Sequence, residues 1–526
     1  MAKRDTMPKR RFVAFLAALP LATAGLIGQA SAGSPQVSVG TPTRYGLAKN
    51  VELVGHESFG DRGNNSPIAV AGPCVYVGDR GSTGGIAIVD ASKPSALKTV
   101  GFIAPTPGST QREVRADRGL GILVVMTYSL NGIGDTTGNW LKTYDIRDCR
   151  HPKLLSTVDF GARSPHEFFF WKDPKHHGRA LAYVTFTLFT PDLMVYDLTN
   201  PAVPALAAIY DIEIDRAFKT ADAATKSGSG YLHSISVSDD GTRAYMGNWD
   251  YGFYVADTSL LANPPIAGIG LVRPVGVGRL DYGHNVHGAV KVPGRPYVAI
   301  VQEEYANAGH GCPFGWLRMA SIQDENTPKL LGEFKLPEND CARAKALNGT
   351  FTAHNQTLFP DLALVPWYSG GLRVVDISDP NRPHEAGVFV PDRAPDPRQR
   401  DGRLYFPGAS ADKWTGALWS YPVVQDGLIY VVDIDQGLFV LRYTGPHASE
   451  LTAAKFVEGN SGPSLYTKSA RPITRSRAAW SAIDRAVTSG AVTSGAVTSG
   501  ARVFPVPLGA PKIRLGTKTY GFLCAV

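Results

Sequence analysis

The chain has 526 residues, 44% of them hydrophobic and 19% charged, with a formal net charge of +7. Such a composition buries a large core and excludes disorder of the chain as a whole. Its 56 glycines and 38 prolines exceed the ~12% usual for the two together, and their even spread favours many short strands and turns over long helices.

Residues 1–32 read as an export signal. Lys3, Arg4, Lys9, Arg10 and Arg11 precede an apolar run from Phe12 to Gly28, and Ala30-Ser31-Ala32 supplies the small residues of a cleavage site. Lys9 to Val13 loosely resembles a twin-arginine signal, and ordinary unfolded export is the first expectation. No later segment reaches 18 apolar residues, so no transmembrane span is expected in the mature chain. The predicted location is secreted, extracellular or at the cell surface. The positive charge lies at the two ends: residues 1–32 hold five basic groups against Asp5, and the stretch from Leu451 holds ten against Glu458 and Asp484. The body between is net acidic and carries no electrostatic footprint for nucleic acid.

One phrase recurs along that body. It reads Gly85-Ile-Ala-Ile-Val-Asp90 with Pro94, Leu141 to Asp145 with Pro152, Leu193 to Asp197 with Pro201, Gly252 to Asp257 with Pro264, Leu317 to Ser321 with Pro328, and Gly371 to Asp376 with Pro380; a seventh, Gly437 to Arg442, lacks the aspartate. Each is a Val-, Ile- and Tyr-rich strand that Asp ends in an Asx-type turn, after which Pro stops further pairing. One strand follows each phrase and two precede it. Four strands per period of 50 to 65 residues make a propeller blade. The prediction is an all-β, seven-bladed β-propeller over residues 50–447, with Asn50 to Gly55 completing the last blade and closing the ring. Residues 451–526, with Ala486-Val-Thr-Ser-Gly490 repeated twice more, are expected to form a disordered basic tail.

Five cysteines in an exported chain permit two disulfides. Cys74 with Cys149 and Cys312 with Cys341 are the preferred pairs, Cys524 being left over.

Asp376-Ile-Ser-Asp-Pro380 after Leu-Arg-Val-Val, with its five sister phrases, resembles the LVIVD-repeat family of exported β-propeller proteins. Arg373 through Pro383 and His284-Asn285-Val286 are more distantly similar to the selenium-binding protein or methanethiol oxidase family, also a seven-bladed propeller. That resemblance implies copper held by histidines. The family's cysteine motifs are absent from this chain.

Four histidines stand where each unit's first strand begins: His166, His233, His287 and His354. A propeller's first strands line its central channel, so these imidazoles are expected to meet at one channel mouth and hold a transition metal, copper by resemblance. The competing reading is inheritance by repetition, each ring bonding a neighbouring strand's carbonyl. The same position is taken by Asn65 or Ser66, by Arg112, and by Trp419 or Ser420 in the other units. Arg112 is the candidate holder of an anionic substrate or oxyanion and Glu303 the candidate carboxylate at the mouth, these two forming the catalytic set. Glu167 and Glu113 are expected to point away from the channel and Glu303 and Glu304 to favour a solvated loop. His284 is a candidate outer or fifth ligand; His56, His151, His176, His177, His310, His384 and His447 read as surface residues. The functional expectation is a metal-dependent oxidase of a small molecule, probed against a non-catalytic scaffold for an extracellular protein partner, the chain being a monomer in either case.

Overall fold

A computed structural model describes residues 35–459, apart from 82–84, 187–188, 190, 212–230, 264–272, 275–284, 305–312 and 399–413, together with 513–515 and 518–520. The expected signal segment, the Ala-Val-Thr-Ser-Gly repeats, His284, His310, Cys312 and Cys524 lie outside the described residues.

The chain is a seven-bladed β-propeller. Blade 1 is Asn65–Ala71, Cys74–Asp79, Ile86–Asp90 and Lys98–Ile103; blade 2 is Ser109–Asp117, Ile122–Ser129, Trp140–Asp145 and Lys153–Asp159. Blade 3 is Pro165–Lys172, Ala180–Phe186, Leu193–Asp197 and Ala205–Tyr210, and blade 4 is Leu232–Val237, Arg243–Asn248, Gly252–Asp257 and Arg273–Pro274. Blades 5 and 6 begin at Val286–Lys291 and Thr357–Leu358 and end at Lys329–Lys335 and His384–Phe389. In blade 7, Val423–Gln425, Leu428–Asp433 and Gly437–Tyr443 are completed by Val51–Glu57, antiparallel from Val51↔Tyr443 to Glu57↔Leu438. That strand closes the ring as the sequence predicts, removing the bare edge of the last blade.

The recurring aspartates do what their side chains favour. Asp90, Asp145, Asp197, Asp257 and Asp376 each accept, through Oδ1, the backbone N–H two residues on, at 2.8–3.0 Å. Between them, the strands are buried on both faces, which is why they read as continuous apolar runs.

The chain outside the four-stranded blades is more ordered than expected. Gln36–Val39 adds in parallel to the outer strand of blade 5, and Ala48–Lys49 adds to blade 6. At the other end, a short helix, Ala448–Ala453, turns the chain back so that Phe456–Glu458 pairs with Val423–Gln425, the innermost strand of blade 7. Phe456–Glu458 thus adds a strand to blade 7 beyond residue 447, where the propeller was expected to end. Leu451, Ala454 and Val457 are apolar and buried, and burial outweighs the basic character of the C-terminal stretch. Ile513–Leu515 and Lys518–Tyr520 pair antiparallel, in a stretch expected to lack structure.

Glu458 ends this added strand with only 4% of its surface exposed. Burial, and secondarily the nearby charges of Asp117 and Glu113 against the opposing pull of Arg115, push its carboxyl up to about 8. Because the folded form holds the proton more tightly than the unfolded chain does, its contribution to stability is complete below about pH 4 and is lost as pH rises toward 8. Glu458→Gln keeps the shape without the charge. It is expected to be more stable than the parent at pH 9 by about 1–2 kcal/mol, with the gap narrowing as pH falls and closing near pH 4, in denaturant titrations at both pH values.

A disulfide joins Cys74 of blade 1 to Cys149, just before the outer strand of blade 2, across a sequence separation of 75. Cys341 is disulfide-bonded as well. Replacing Cys74 and Cys149 together by serine is expected to cost about 2–4 kcal/mol, measured by equilibrium unfolding, because the bond restrains a long loop of the unfolded chain.

Candidate metal centre at the channel mouth

The first strand of a blade does not simply alternate where it meets the mouth. Leu232 pairs with Asn248 and Ser234 with Gly247, so His233 has no residue opposite it; Val286 pairs with Gln302 and Gly288 with Val301, leaving His287 in the same position. Arg112 is the extra residue of blade 2, and in blade 3 both His166 and Glu167 lie between the pairs Pro165↔Phe186 and Phe168↔Val184. A bulge of this kind turns the strand and re-aims one side chain. Here it recurs in blades 2 to 5 and aims Arg112, His166, His233 and His287 inward, whereas His354 lies ahead of its strand, Thr357–Leu358. Close approach of the blades completes the arrangement: a Cβ at Gly247 would lie 2.7 Å from the carbonyl oxygen of His287.

The four imidazoles meet. Successive ring centroids are 4.2 Å apart from His166 to His233, 4.1 Å from His233 to His287, and 4.1 Å from His287 to His354. His233 Nε2 lies 2.7 Å from His166 Nε2.

Two carboxylates enter the same cluster. Glu167 Oε1 lies 3.3 Å from His287 Nε2, while Glu303 places Oε2 at 3.7 Å from that atom and Oε1 at 3.5 Å from His354 Nε2. Glu167, His233 and His287 form one group with donor atoms within 4.8 Å of one another, and His287, Glu303 and His354 form a second. The expectations for the glutamates are corrected on this point. Glu167 faces inward because the bulge places two consecutive residues on the lumen side, and Glu303 and Glu304 are buried, not solvated. Glu113 is also buried, and its carboxylate accepts from Arg115 Nη1 at 2.7 Å. The donor set is thus mixed nitrogen and oxygen, not nitrogen alone.

Hydrogen bonds fix the carboxylates from other blades. Asn355 Nδ2 donates to Glu167 Oε1 at 3.2 Å and the Tyr421 hydroxyl to Oε2 at 3.1 Å. Glu303 Oε1 accepts from the hydroxyl of Tyr368.

The protonation states follow from this geometry. Burial, and then Arg112 for His166 and the His287 charge for His233 and His354, holds those three imidazoles well below the ordinary histidine range, leaving neutral rings. Burial opposes charge on His287 as well, but Glu167 and Glu303 outweigh it and its pKa is raised. Glu167 is held low despite burial, chiefly by His287, whereas burial raises Glu303.

His354 fits the repetition reading, in which a ring bonds a neighbouring strand's carbonyl: its Nδ1 lies 2.7 Å from Trp419 O, and its Nε2 accepts from the Trp419 indole. His287 differs, being fully buried with no hydrogen-bond partner at Nδ1. Buried polar atoms are normally satisfied, so a ring aimed at two carboxylates and left otherwise unpartnered fits a site made for a cation.

A second ring of residues, just after each second strand, supports the first. Trp249 stacks on His233 at 4.7 Å, Glu303 sits between His287 and His354, and Arg80 lies over Trp419. Of these the sequence reading found only Glu303. The signal available was the same repeat register, applied one strand later.

The remaining candidates divide between the cluster and ordinary packing. Arg112 donates from Nε to His166 O at 2.8 Å and brings Nη2 to 2.7 Å from His166 Nε2, so it joins the cluster beside the imidazole outside both three-residue groups. Asn65 bonds Arg62 and Ile434 O and is packing, with Ser66 buried beside it. Trp419, not Ser420, occupies the seventh position against His354. His56 stacks on Phe439, and His151, His176, His177 and His384 are exposed. His447, expected at the surface, is half-buried and grouped with Asp361 and Glu450, where Asp361 also accepts from Arg295.

Comparison with known proteins gives a match to the LVIVD repeat over residues 62–103 and 364–390. No curated protein matches the sequence. Among solved structures, a protein from Lactobacillus plantarum is similar at a TM-score of 0.43 and 13% identity, over 62% of this chain and 86% of that one.

Proposed function

We propose that this LVIVD-repeat β-propeller holds a first-row transition metal at the channel mouth and uses it to convert a small molecule. The observation that carries this reading is His287, a fully buried imidazole with an unpartnered nitrogen, set between two buried carboxylates and two further histidines. In the metal-free protein a proton on His287 balances Glu167 and Glu303. A divalent cation would replace that proton, so binding and deprotonation are linked.

His233 and His287, with Glu167 and Glu303, would hold the ion, His354 joining them where its Nε2 is released from the Trp419 indole, and His166 stands at its edge under the guanidinium of Arg112. Such a mixed set without thiolate suits copper, iron, nickel or zinc more than calcium or magnesium. Copper is favoured by the family resemblance, and the two-histidine, one-carboxylate make-up of each group favours iron as the second choice. The metal supplies Lewis acidity or redox chemistry toward a bound substrate. The protein's own residues orient and exclude: Trp419 fixes the His354 ring through its carbonyl, and Tyr368 and Asn355 fix the carboxylates.

Export to an extracellular or surface location belongs to the same proposal and is supported by the basic, apolar and small-residue order of residues 1–32. Among the described residues no helix is long and apolar enough to cross a membrane. Elemental analysis of protein purified from its own host tests the central reading. About one equivalent of a first-row metal supports it, and metal-free protein removes it in favour of a non-catalytic scaffold.

A further inference from the structure

The imidazoles occupy only the arc of blades 3 to 6, and the facing arc has its own composition. Blade 7 contributes Trp419, blade 1 Arg80, and blade 2 Arg112 with Tyr128. The Arg80 guanidinium lies 3.9 Å above the Trp419 ring and 5.8 Å from that of Tyr128, while Arg112 lies 5.8 Å and 5.7 Å from the same two rings. Two cations therefore share one pair of aromatic faces.

Arg80 is only 4% exposed, and its Nε is buried with no hydrogen-bond partner. Among the described residues its side chain makes no ion pair and no hydrogen bond, and Arg112 makes no ion pair either. An arginine withdrawn from water usually finds a carboxylate, because an uncompensated buried charge is costly. The chain does supply such partners elsewhere at this depth, as Arg115 has Glu113 and Arg318 has Glu333. Around Arg80 it supplies rings instead, which hold a guanidinium flat without neutralising it, while the charge of Arg112 also acts on Glu167 and Glu303.

We infer that Arg80 and Arg112, walled by Trp419 and Tyr128, form a subsite for the oxyanion of a small organic acid, a carboxylate or sulfonate whose apolar part lies against the two rings. The fork of a guanidinium matches a two-oxygen face, and the aromatic walls favour a carbon body over inorganic ions. Position gives the subsite its meaning: Arg112 also touches His166, and Trp419 also touches His354. An acid anchored there presents its adjoining carbon to the imidazole arc. The proposal rests on the metal reading for its chemistry but not for its binding, and names the substrate class as small organic anions.

Calorimetric titration of the metal-free full chain with propionate, methanesulfonate and neutral propionamide tests it, alongside Arg80→Leu. Saturable binding of either anion is expected, with propionamide at least tenfold weaker and Arg80→Leu lowering anion affinity at least tenfold while leaving metal content as in the parent. Which anion binds distinguishes a carboxylate from a sulfonate substrate. Should Arg80→Leu fail to fold, Arg80→Lys serves: it keeps the charge, loses the fork, and is expected to weaken binding severalfold. Absence of saturable anion binding, equal binding of propionamide, or arginine variants that bind as the parent does would overturn the subsite. Anion binding that depends on Arg80 in a protein that never takes up metal would keep the subsite and remove the metal reading; metal without anion binding would do the reverse.

Discussion

His287→Ala is expected to abolish metal retention, lowering affinity more than 100-fold and leaving less than a tenth of the parent's metal after dialysis against a weak chelator. The reason is position. His287 belongs to both three-residue groups, so its loss removes a donor from each, whereas loss of His354 or of Glu167 leaves one group whole. His354→Phe is accordingly expected to weaken retention without ending it, since the group of Glu167, His233 and His287 stays whole. His166→Ala is expected to have the smallest effect of the four, since Arg112 already occupies its ring. His384→Ala, at the exposed first residue of the outer strand of blade 6, is the control. Metal per folded protein, measured on the monodisperse fraction from gel filtration, is the readout. Equal metal in His287→Ala and His384→Ala would exclude the channel mouth as the site.

The second large effect concerns stability. Arg373→Ala is expected to cost about 3–5 kcal/mol, because Arg373 is wholly buried and its removal strands Glu385 without a counter-charge. Its guanidinium donates to Gly370 O at 2.9 Å and, each at 2.8 Å, to Thr41 O, Glu385 Oε2 and Thr43 Oγ1. Glu338 receives the Thr43 N–H at 3.0 Å. One side chain of the blade 6 phrase thus ties the N-terminal approach segment to the propeller. Burial lowers the Arg373 pKa from its usual range, and Glu385 only partly offsets this. Arg373→Met combined with Glu385→Leu is expected to recover most of the loss, since replacing both partners leaves no buried charge. Denaturant midpoints of the single and double variants decide the matter: a loss below about 1 kcal/mol for Arg373→Ala would mean that the buried pair does not hold this segment.

What could be read from the chain alone was whatever repeats. The phrase from Ile86 to Asp90 and its sisters records strands buried on both faces and ended by an Asx turn, and both are local consequences of side-chain chemistry. Seven such phrases, with one spare outer strand before the first, imply a closed ring. Repetition also located His166, His233, His287 and His354 at one register, and residues at equal register in a ring approach one axis.

Tertiary structure decided the rest, for two reasons. Strict alternation fails at a bulge, so the inward turn of Glu167 beside His166 was invisible to a period of two. Nor does a sequence show which buried charge finds a partner. Glu303 closes on His287 and His354, Glu458 is carried toward Arg115 by a strand beyond the expected boundary, and Arg80 is left against Trp419, all through contacts between blades far apart in the chain. Local side-chain preference set the strands and their number, but the charge environment of the mouth exists only where seven separate strands converge.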